Sequence, residues 1–249
     1  MKLSFIIPAY NEEARLGQCL DSISREIENT PGDFEIIVVN NGSTDRTKEI
    51  ALARGVRVVD EYNKGLTKAR QAGYLAAAGD ILANVDADNM LTSGWVSRVL
   101  AEFSKDDELV GLSGPVVFHD LSWLVNLQTK MFYYIGYLAY LLNHFIFKKG
   151  GMMQGGNFVV RKTALDKVGG FDTSIVFFGE DTDIARRLGK VGYVKFTFDL
   201  PILSSGRRLA QDGVVTTGWR YAVNYFWVLI FKKPYHDKPA AEIRTSKID

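Results

Sequence analysis

Apolar positions along the chain alternate between short runs and helically spaced sets. Leu3 to Ile7 is a short, mostly apolar run closed by Pro8, which predicts a buried strand. Leu16, Leu20, Ile23 and Ile27 then recur at helical spacing. They predict a helix N-capped by Asn11, with Glu12 and Glu13 at its positive end, that runs to Glu28 and is broken by Pro31-Gly32. Phe34 to Val39 predicts a second strand, and Asn40-Asn41-Gly42-Ser43 a turn. Ser43 or Thr44 would cap a helix through Arg54. Val56 to Val59 predicts a third strand, Leu66 to Ala78 a helix opened by Lys64-Gly65 and ended by Gly79, and Ile81 to Val85 a fourth strand.

Strands alternating with helices over residues 3–85 imply an open, mostly parallel α/β sheet. In such sheets ligands lie beyond the carboxyl ends of the strands. Three polar clusters fall at those ends: Tyr10-Asn11-Glu12, Asn40-Asn41 and Asp86-Ala87-Asp88. Polar turn residues are ordinary at a strand end, but paired carboxylates at the last of three point to a site. No Gly-x-Gly-x-x-Gly follows the first strand and no Gly-Lys-Ser/Thr loop occurs, which disfavours a dinucleotide fold and a P-loop ATPase.

Asp86 and Asp88 are two like charges one residue apart, and they repel unless a cation sits beside them. Carboxylate oxygens suit Mg²⁺ or Mn²⁺, ions bound by few protein ligands together with substrate phosphates. The pair therefore reads as a metal site bridging to a diphosphate; the alternative is a solvated turn. A second cluster, Gly179-Glu180-Asp181-Thr182-Asp183, precedes Ile184, Ala185 and Leu188 at helical spacing. It reads either as a helix N-cap or as a general base for an acceptor hydroxyl.

In this order the sequence resembles the inverting glycosyltransferases of family 2. The matching pieces are Ile6-Ile7-Pro8-Ala9-Tyr10-Asn11-Glu12, Val38-Val39-Asn40-Asn41-Gly42-Ser43-Thr44-Asp45, Asn63-Lys64-Gly65 with Ala69-Arg70, and Gly79-Asp80. They continue with Val85-Asp86-Ala87-Asp88, Gly155-Gly156-Asn157-Phe158 with Arg161, and Gly169-Gly170-Phe171-Asp172 leading to Glu180-Asp181. The resemblance implies a GT-A fold, a mostly parallel central sheet flanked by helices, here with a C-terminal aromatic helical extension. It implies that Pro8, Tyr10 and Glu12 line the nucleotide base and ribose, and that Asn40 reads the base edge. Arg70 would hold the base or diphosphate side, Asp86-Ala87-Asp88 the ribose and metal, with Asp88 the principal metal ligand and Asp86 a second contact. Asp181 would be the catalytic base and Glu180 would lie near the acceptor. Gly155, Gly156 and Asn157 would form the floor under donor sugar and acceptor. The cofactor would be Mn²⁺ or Mg²⁺, and the donor a nucleotide sugar, with a UDP-sugar favoured over a GDP-sugar.

Two departures from the family pattern matter. Asn40 stands where an Asp is usual, and an amide both donates and accepts. Leu203-Ser204-Ser205-Gly206-Arg207-Arg208 holds no His where many members carry a further metal ligand, and its arginines read either as partners for phosphate or as a solvated basic turn. A Gln-x-x-Arg-Trp motif of processive synthases is absent, which favours single addition.

Met131 to Phe147 carries no Asp, Glu, Lys or Arg and is dense in Tyr and Phe, with Lys130 before it and Lys148-Lys149 after it. Leu124, Leu127, Met131, Ile135, Leu138, Leu142 and Phe145 recur at near-helical spacing. Tyr133, Tyr134, Tyr137, Tyr140, Asn143 and His144 are costly at a bilayer centre and common at its interface. We read one or two helices on a membrane surface or over the acceptor cleft, against a buried core helix or a short span. A second apolar block, Tyr221 to Phe231, leads to Lys232-Lys233, and residues 204–249 carry eight Lys/Arg against four acids.

The 249 residues carry a net charge of +1, which argues against nucleic-acid binding. A single cysteine, Cys19, excludes an internal disulfide framework and a Cys-rich zinc site and fits a reducing compartment. The first residues do not read as a signal peptide. The expectation is a GT-A domain over 1–203, including an aromatic insert at 121–149, and a basic, aromatic extension over 204–249. The expected activity is metal-dependent transfer of a sugar to a hydroxyl acceptor, a glycan or a lipid-linked molecule, as in cell-envelope polysaccharide assembly. The expected place is the cytoplasm, peripherally on the inner membrane face. A sugar-phosphate nucleotidyltransferase and a catalytically silent nucleotide-sugar-binding module are the alternatives.

Overall fold

Each apolar run of the N-terminal half becomes a strand in the computed structural model, which describes residues 1–142, 151–175, 179–231 and 235. The elements are β1 (Lys2–Ala9), α1 (Leu16–Glu28), β2 (Asp33–Asn40), α2 (Thr47–Ala53), β3 (Arg57–Asp60), α3 (Leu66–Ala76), β4 (Ile81–Val85) and β5 (Asn89–Leu91). They continue with α4 (Trp95–Lys105), β6 (Leu109–Ser113), β7 (Val116–Phe118), α5 (Trp123–Leu142), β8 (Asn157–Arg161), α6 (Lys162–Lys167) and α7 (Glu180–Leu188). The last are β9 (Tyr193–Phe196), β10 (Ile202–Ser204), α8 (Arg207–Asp212) and α9 (Val214–Phe231).

A seven-stranded sheet runs in the order β3-β2-β1-β4-β8-β6-β9. Its pairs are parallel except where β8 lies antiparallel between β4 and β6. The mostly parallel sheet implied by the strand–helix alternation is thus present. β1 is covered on both faces, which is why it reads as a nearly continuous apolar run. Leu3, Phe5 and Ile7 join α1 and α4 through Leu16, Leu20, Ile23, Trp95 and Val99. Ile6 faces the other way, into a cluster with Val39, Leu82, Val160, Leu165, Ile184 and Leu188. Burying each such side chain is worth ~1.5–3 kcal/mol.

Two capping expectations fail. Asn11 is not the N-cap of α1: it adopts φ 52° and the helix starts at Leu16. Its Oδ1 accepts the Thr44 N–H at 2.8 Å, while the N–H groups of Glu12 and Glu13 donate to Thr47 Oγ1 and Asp45 Oδ2. Partners across the loop satisfy those donors, so helix at 12–15 gains nothing. Ser43 and Thr44 likewise do not cap α2, which begins at Thr47. Asp45 accepts the Thr47 N–H, and Ser43 Oγ accepts the Asn11 N–H.

A second sheet, β5-β10-β7, sits beyond the end of β4. Ser204 of β10 stands opposite Asn89 of β5, so the chain after β10 emerges beside Asp88. The aromatic stretch forms α5, docked by one side. Tyr133 OH donates to Gln154 Oε1, Tyr140 OH donates to the Val194 carbonyl, and Tyr134 stacks on Phe198 at 4.7 Å. The opposite side, with Trp123, Leu124, Leu127, Met131, Ile135 and Leu138, is exposed. Among the described residues, no helix is long and apolar enough to cross a membrane. The apolar block at Tyr221 belongs to α9, which starts earlier, at Val214. Asn143, His144, Phe145, Phe147, Lys148 and Lys149 lie outside the described residues, as does the basic tail after Phe231 apart from Tyr235.

Candidate functional site

The loops leaving β1, β2 and β3 meet above the sheet edge. Pro8 is buried in β1 opposite Val39 of β2. Tyr10 follows, its hydroxyl accepting a 2.6 Å hydrogen bond from Lys64 Nζ, which also lies 4.2 Å from the ring centroid. Asn40 is held at both ends of its amide: Nδ2 donates to Asp60 Oδ1 at 2.8 Å and Oδ1 accepts the Ser43 N–H at 3.2 Å. Asp60 also receives Lys48 Nζ at 2.6 Å, and these two donors hold its carboxyl below the usual carboxylate range. Asn41 stitches the neighbouring turns, donating to the Glu61 and Asn63 carbonyls and accepting the Gly65 N–H.

Arg70, from α3, organises the centre. It is fully buried; Nη1 donates to Glu180 Oε1 at 3.0 Å and Nη2 to Asp86 Oδ1 at 3.1 Å, while Nε has no partner. Burial alone would lower its pKa, but the charges of Asp86 and Glu180 outweigh it and raise the pKa. One side chain thereby joins the cluster that follows β4 to the one that opens α7. Gly179, at φ 86°, starts α7, and Glu180, Asp181 and Asp183 fill its first turn, where the helix dipole favours acids. Asp183 faces inward to Arg186 and Arg187, and Arg187 in turn donates to the Val168 and Gly170 carbonyls. Asp183 therefore fixes the helix, leaving Glu180 and Asp181 at the cleft.

Asp181 Oδ2 accepts the Gly155 N–H at 3.1 Å and Oδ1 accepts the Thr182 N–H at 2.7 Å. Burial, opposed by these bonds and by Arg70, raises the Asp181 pKa. Glu180 is pushed up to about 7, first by burial and then by the charge of Asp181, against the pull of Arg70. Gly155 and Gly156 form the turn between the two carboxylate groups. A Cβ on Gly155 would lie 3.3 Å from Glu180 Oε1, and one on Gly156, at φ +75°, would stand 2.4 Å from Asp86 Oδ2. At Gly156 the left-handed backbone and the close carboxylate together favour glycine. Asn157 lies beneath, wholly buried; it accepts from Trp95 Nε1 and donates to the Leu200 and Pro115 carbonyls. It props the floor from below.

Ala87 is buried between the two aspartates. Asp88 meets Arg207 Nη2 at 3.0 Å from its Oδ2, and the same guanidinium grips Glu12, with Nη2 to Oε1 at 2.6 Å and Nη1 to Oε2 at 3.2 Å. Burial pushes Asp88 up to about 6; Arg207 opposes this, and Glu12 and Asp86 add to it. The protein's own cation thus leaves the pocket short of positive charge. Among the described residues no group of three His, Cys, Asp or Glu side chains is arranged to hold a metal. Asp86 and Asp88 supply hard oxygen donors, and two carboxylates completed by phosphate oxygens is the donor set that Mg²⁺ and Mn²⁺ accept. The residues fit a divalent cation that arrives with a diphosphate.

The structure brings Arg70, Asp86, Gly155, Gly156, Glu180 and Asp181 into one cluster of contacts, with Asp88 two residues beyond Asp86. Glu12 joins it through Arg207. Tyr10 and Asn40 lie at its β1–β2 side, and Pro8 and Asn157 are buried supports. Sequence reading missed Asp60, Lys64 and the Glu12–Arg207 bridge. The bridge spans 195 positions and has no local signature beyond the arginines standing where a His is usual.

Comparison with known proteins follows the same lines. The family model for glycosyl transferase family 2 matches residues 4–169. The uncharacterized glycosyltransferase EpsJ of Bacillus subtilis is 38% identical over 116 residues, 44% of this chain and 33% of its own. The chain thus spans about a third of that relative's length. The mannosyltransferase PcManGT of Pyrobaculum calidifontis, solved with GDP-Man and Mn²⁺, superposes with a TM-score of 0.71 at 19% identity, covering 92% of this chain and 64% of its own. Glucosyl-3-phosphoglycerate synthase of Mycobacterium tuberculosis, solved with Mn²⁺ and UDP-glucose, gives 0.61 at 21% identity, covering 91% and 78%. At these identities the likeness is one of fold, the GT-A type.

Proposed function

The chain belongs to glycosyl transferase family 2, and from that premise we propose that it transfers a sugar from a nucleoside diphosphate donor to a hydroxyl acceptor with inversion. The observation that carries the reading is the Arg70 bridge, which sets Asp181 and Glu180 across the Gly155–Gly156 turn from Asp86 and Asp88. A base and a phosphate-side carboxylate pair on opposite sides of one cleft is what inverting displacement needs. Asp88 and Asp86 would hold a divalent cation, which supplies charge stabilisation for the departing diphosphate. The Mn²⁺ and nucleotide sugars of the two solved relatives support this choice.

Asp181 takes the acceptor proton. Its carboxylate is aimed by the Gly155 and Thr182 N–H groups, and its raised pKa makes it a better base than an exposed aspartate. Glu180 sits beside it on the acceptor side, and Arg70 keeps the two groups of carboxylates from driving each other apart. Tyr10, Lys64, Asn40 and Asp60 surround the base and ribose of a UDP or GDP donor. Residues 1–203 would hold the transfer machinery, and the described part of the stretch after 203 returns Arg207 to it. The exposed apolar face of α5, free of acids, and exposed Trp219 and Arg220 of α9 suit a lipid–water interface on the cytoplasmic side. An acceptor held at that surface, lipid-linked or part of an envelope glycan, fits them.

The test is release of UDP or GDP from a panel of nucleotide sugars with Mn²⁺, with and without chelator. Asp181→Asn should fold and bind donor, yet lose ~10²–10⁴ in turnover. Full turnover in that variant, or turnover indifferent to chelation, would sink the reading.

A further inference from the structure

Arg207 occupies the flank of Asp88 that faces Glu12, and it does so with a fork rather than a point charge. It is mostly buried, with 20% of its side chain exposed, against 17% for Asp88 and 6% for Glu12. Both terminal nitrogens engage Glu12, and only Nη2 reaches Asp88. The contact is not an accident of a loose loop. β10 delivers the residue by pairing with β5, the strand that follows Asp88. The intervening turn is pinned, because Asp120 accepts the Gly206 N–H at 2.6 Å and Ser205 Oγ–H at 2.7 Å.

We infer that Arg207 is a placeholder cation: it holds Asp88 until a nucleoside diphosphate arrives, then passes Asp88 to the divalent ion and turns to the phosphates while Glu12 keeps hold of it. The inference rests on the function proposed above and goes beyond it, because it makes metal and nucleotide binding interdependent through one side chain. A divalent ion on Asp88 and a guanidinium at 3.0 Å from the same carboxylate repel each other, so the ion alone meets an Asp88 oxygen that is already paired. A diphosphate changes the balance, since its oxygens accept from the Nη2 that Asp88 gives up. The exchange needs one ion pair, Nη2 to Asp88 Oδ2, to break and a rotation of the outer side chain. The pinned turn stays as it is, and Glu12 keeps the guanidinium through Nη1. The gain is order: the cation is retained only with its nucleotide.

The measurement is calorimetric titration of the whole chain with MnCl₂, alone and in the presence of UDP or GDP, followed by the reverse titration. Linkage requires the nucleotide to tighten Mn²⁺ by the same factor that Mn²⁺ tightens the nucleotide, which gives an internal check. Wild-type protein should bind Mn²⁺ weakly alone and strongly with nucleotide. Arg207→Ala should bind Mn²⁺ alone at least fivefold more tightly, and the coupling factor should fall at least tenfold. A merely structural Arg207 would move neither quantity in this direction, because loosening the site weakens both ligands. Arg207→Lys, which cannot fork across Glu12 and Asp88, should show both shifts at smaller size and covers the case in which the alanine variant does not fold. Unchanged or weaker Mn²⁺ binding in the folded variants, or an unchanged coupling factor, overturns the placeholder role. Wild-type protein that takes up neither Mn²⁺ nor nucleotide overturns the transferase reading, and this inference with it.

Discussion

Arg70 and Glu180 show how one buried contact ties stability to chemistry. Glu180 titrates about 7 in the folded chain against an ordinary 4.5, because burial and Asp181 disfavour its charge more than Arg70 favours it. A carboxyl with a raised folded-state pKa binds its proton more tightly when native. Its contribution to stability is complete below 4.5 and is lost as pH rises through about 7. Urea unfolding of wild type should therefore weaken across that window. Glu180→Gln, which still accepts from Arg70, should flatten the slope; equal slopes in the two proteins would refute the assignment. The sequence offered Glu180 and Asp181 as a pair at a helix start. That Arg70, 110 positions away in sequence, shares a bond with Glu180 was not legible, because no local pattern records a contact at that separation.

Among the elements, α3 carries the most consequence for the site, since it packs on β1 and β2 and carries Arg70 to Glu180 and Asp86. It can lie that close because Gly73 has no side chain: a Cβ there would stand 2.3 Å from Ile6 Cγ2 and 3.1 Å from Val39 Cγ2. Ile6 and Val39 are fully buried in strands and cannot yield. Gly73→Leu should gain ~1 kcal/mol of helix propensity and lose more, about 1–3 kcal/mol, to overpacking. The urea midpoint should fall, and nucleotide binding should weaken with it as α3 lifts Arg70 from Glu180 and Asp86. A variant as stable as wild type would show that α3 is not so tightly seated. Element existence and type were largely legible over residues 1–85, because burial on two faces writes itself as apolar runs. Helix starts were not: Asn11, Ser43 and Thr44 have the chemistry of caps but are used to lace the β1 and β2 loops together.

At the scale of the molecule, the two long aromatic helices, α5 and α9, carry the proposed membrane contact. α5 is fastened through Tyr133, Tyr137 and Tyr140, while Leu127, Met131 and Ile135 face outward one turn apart. Changing those three outward residues to Ser should lower binding to phosphatidylglycerol vesicles at least fivefold, since one such side chain leaving water is worth ~1.5–3 kcal/mol. Nucleotide release from a soluble donor should be unchanged. Equal vesicle binding by wild type and variant, or none by wild type, would remove the membrane from the account. The sequence by itself determined the strand–helix alternation, the carboxylates beyond β4 and at the start of α7, and the family, because periodicity and motif order are properties of neighbouring residues. The reversal of β8, the docking of α5 by its tyrosines, the Arg70 bridge and the Glu12–Arg207–Asp88 contact were decided only by the tertiary structure. They join residues far apart in the chain, and their energy comes from burial and charge that exist only once the sheets have brought those residues together.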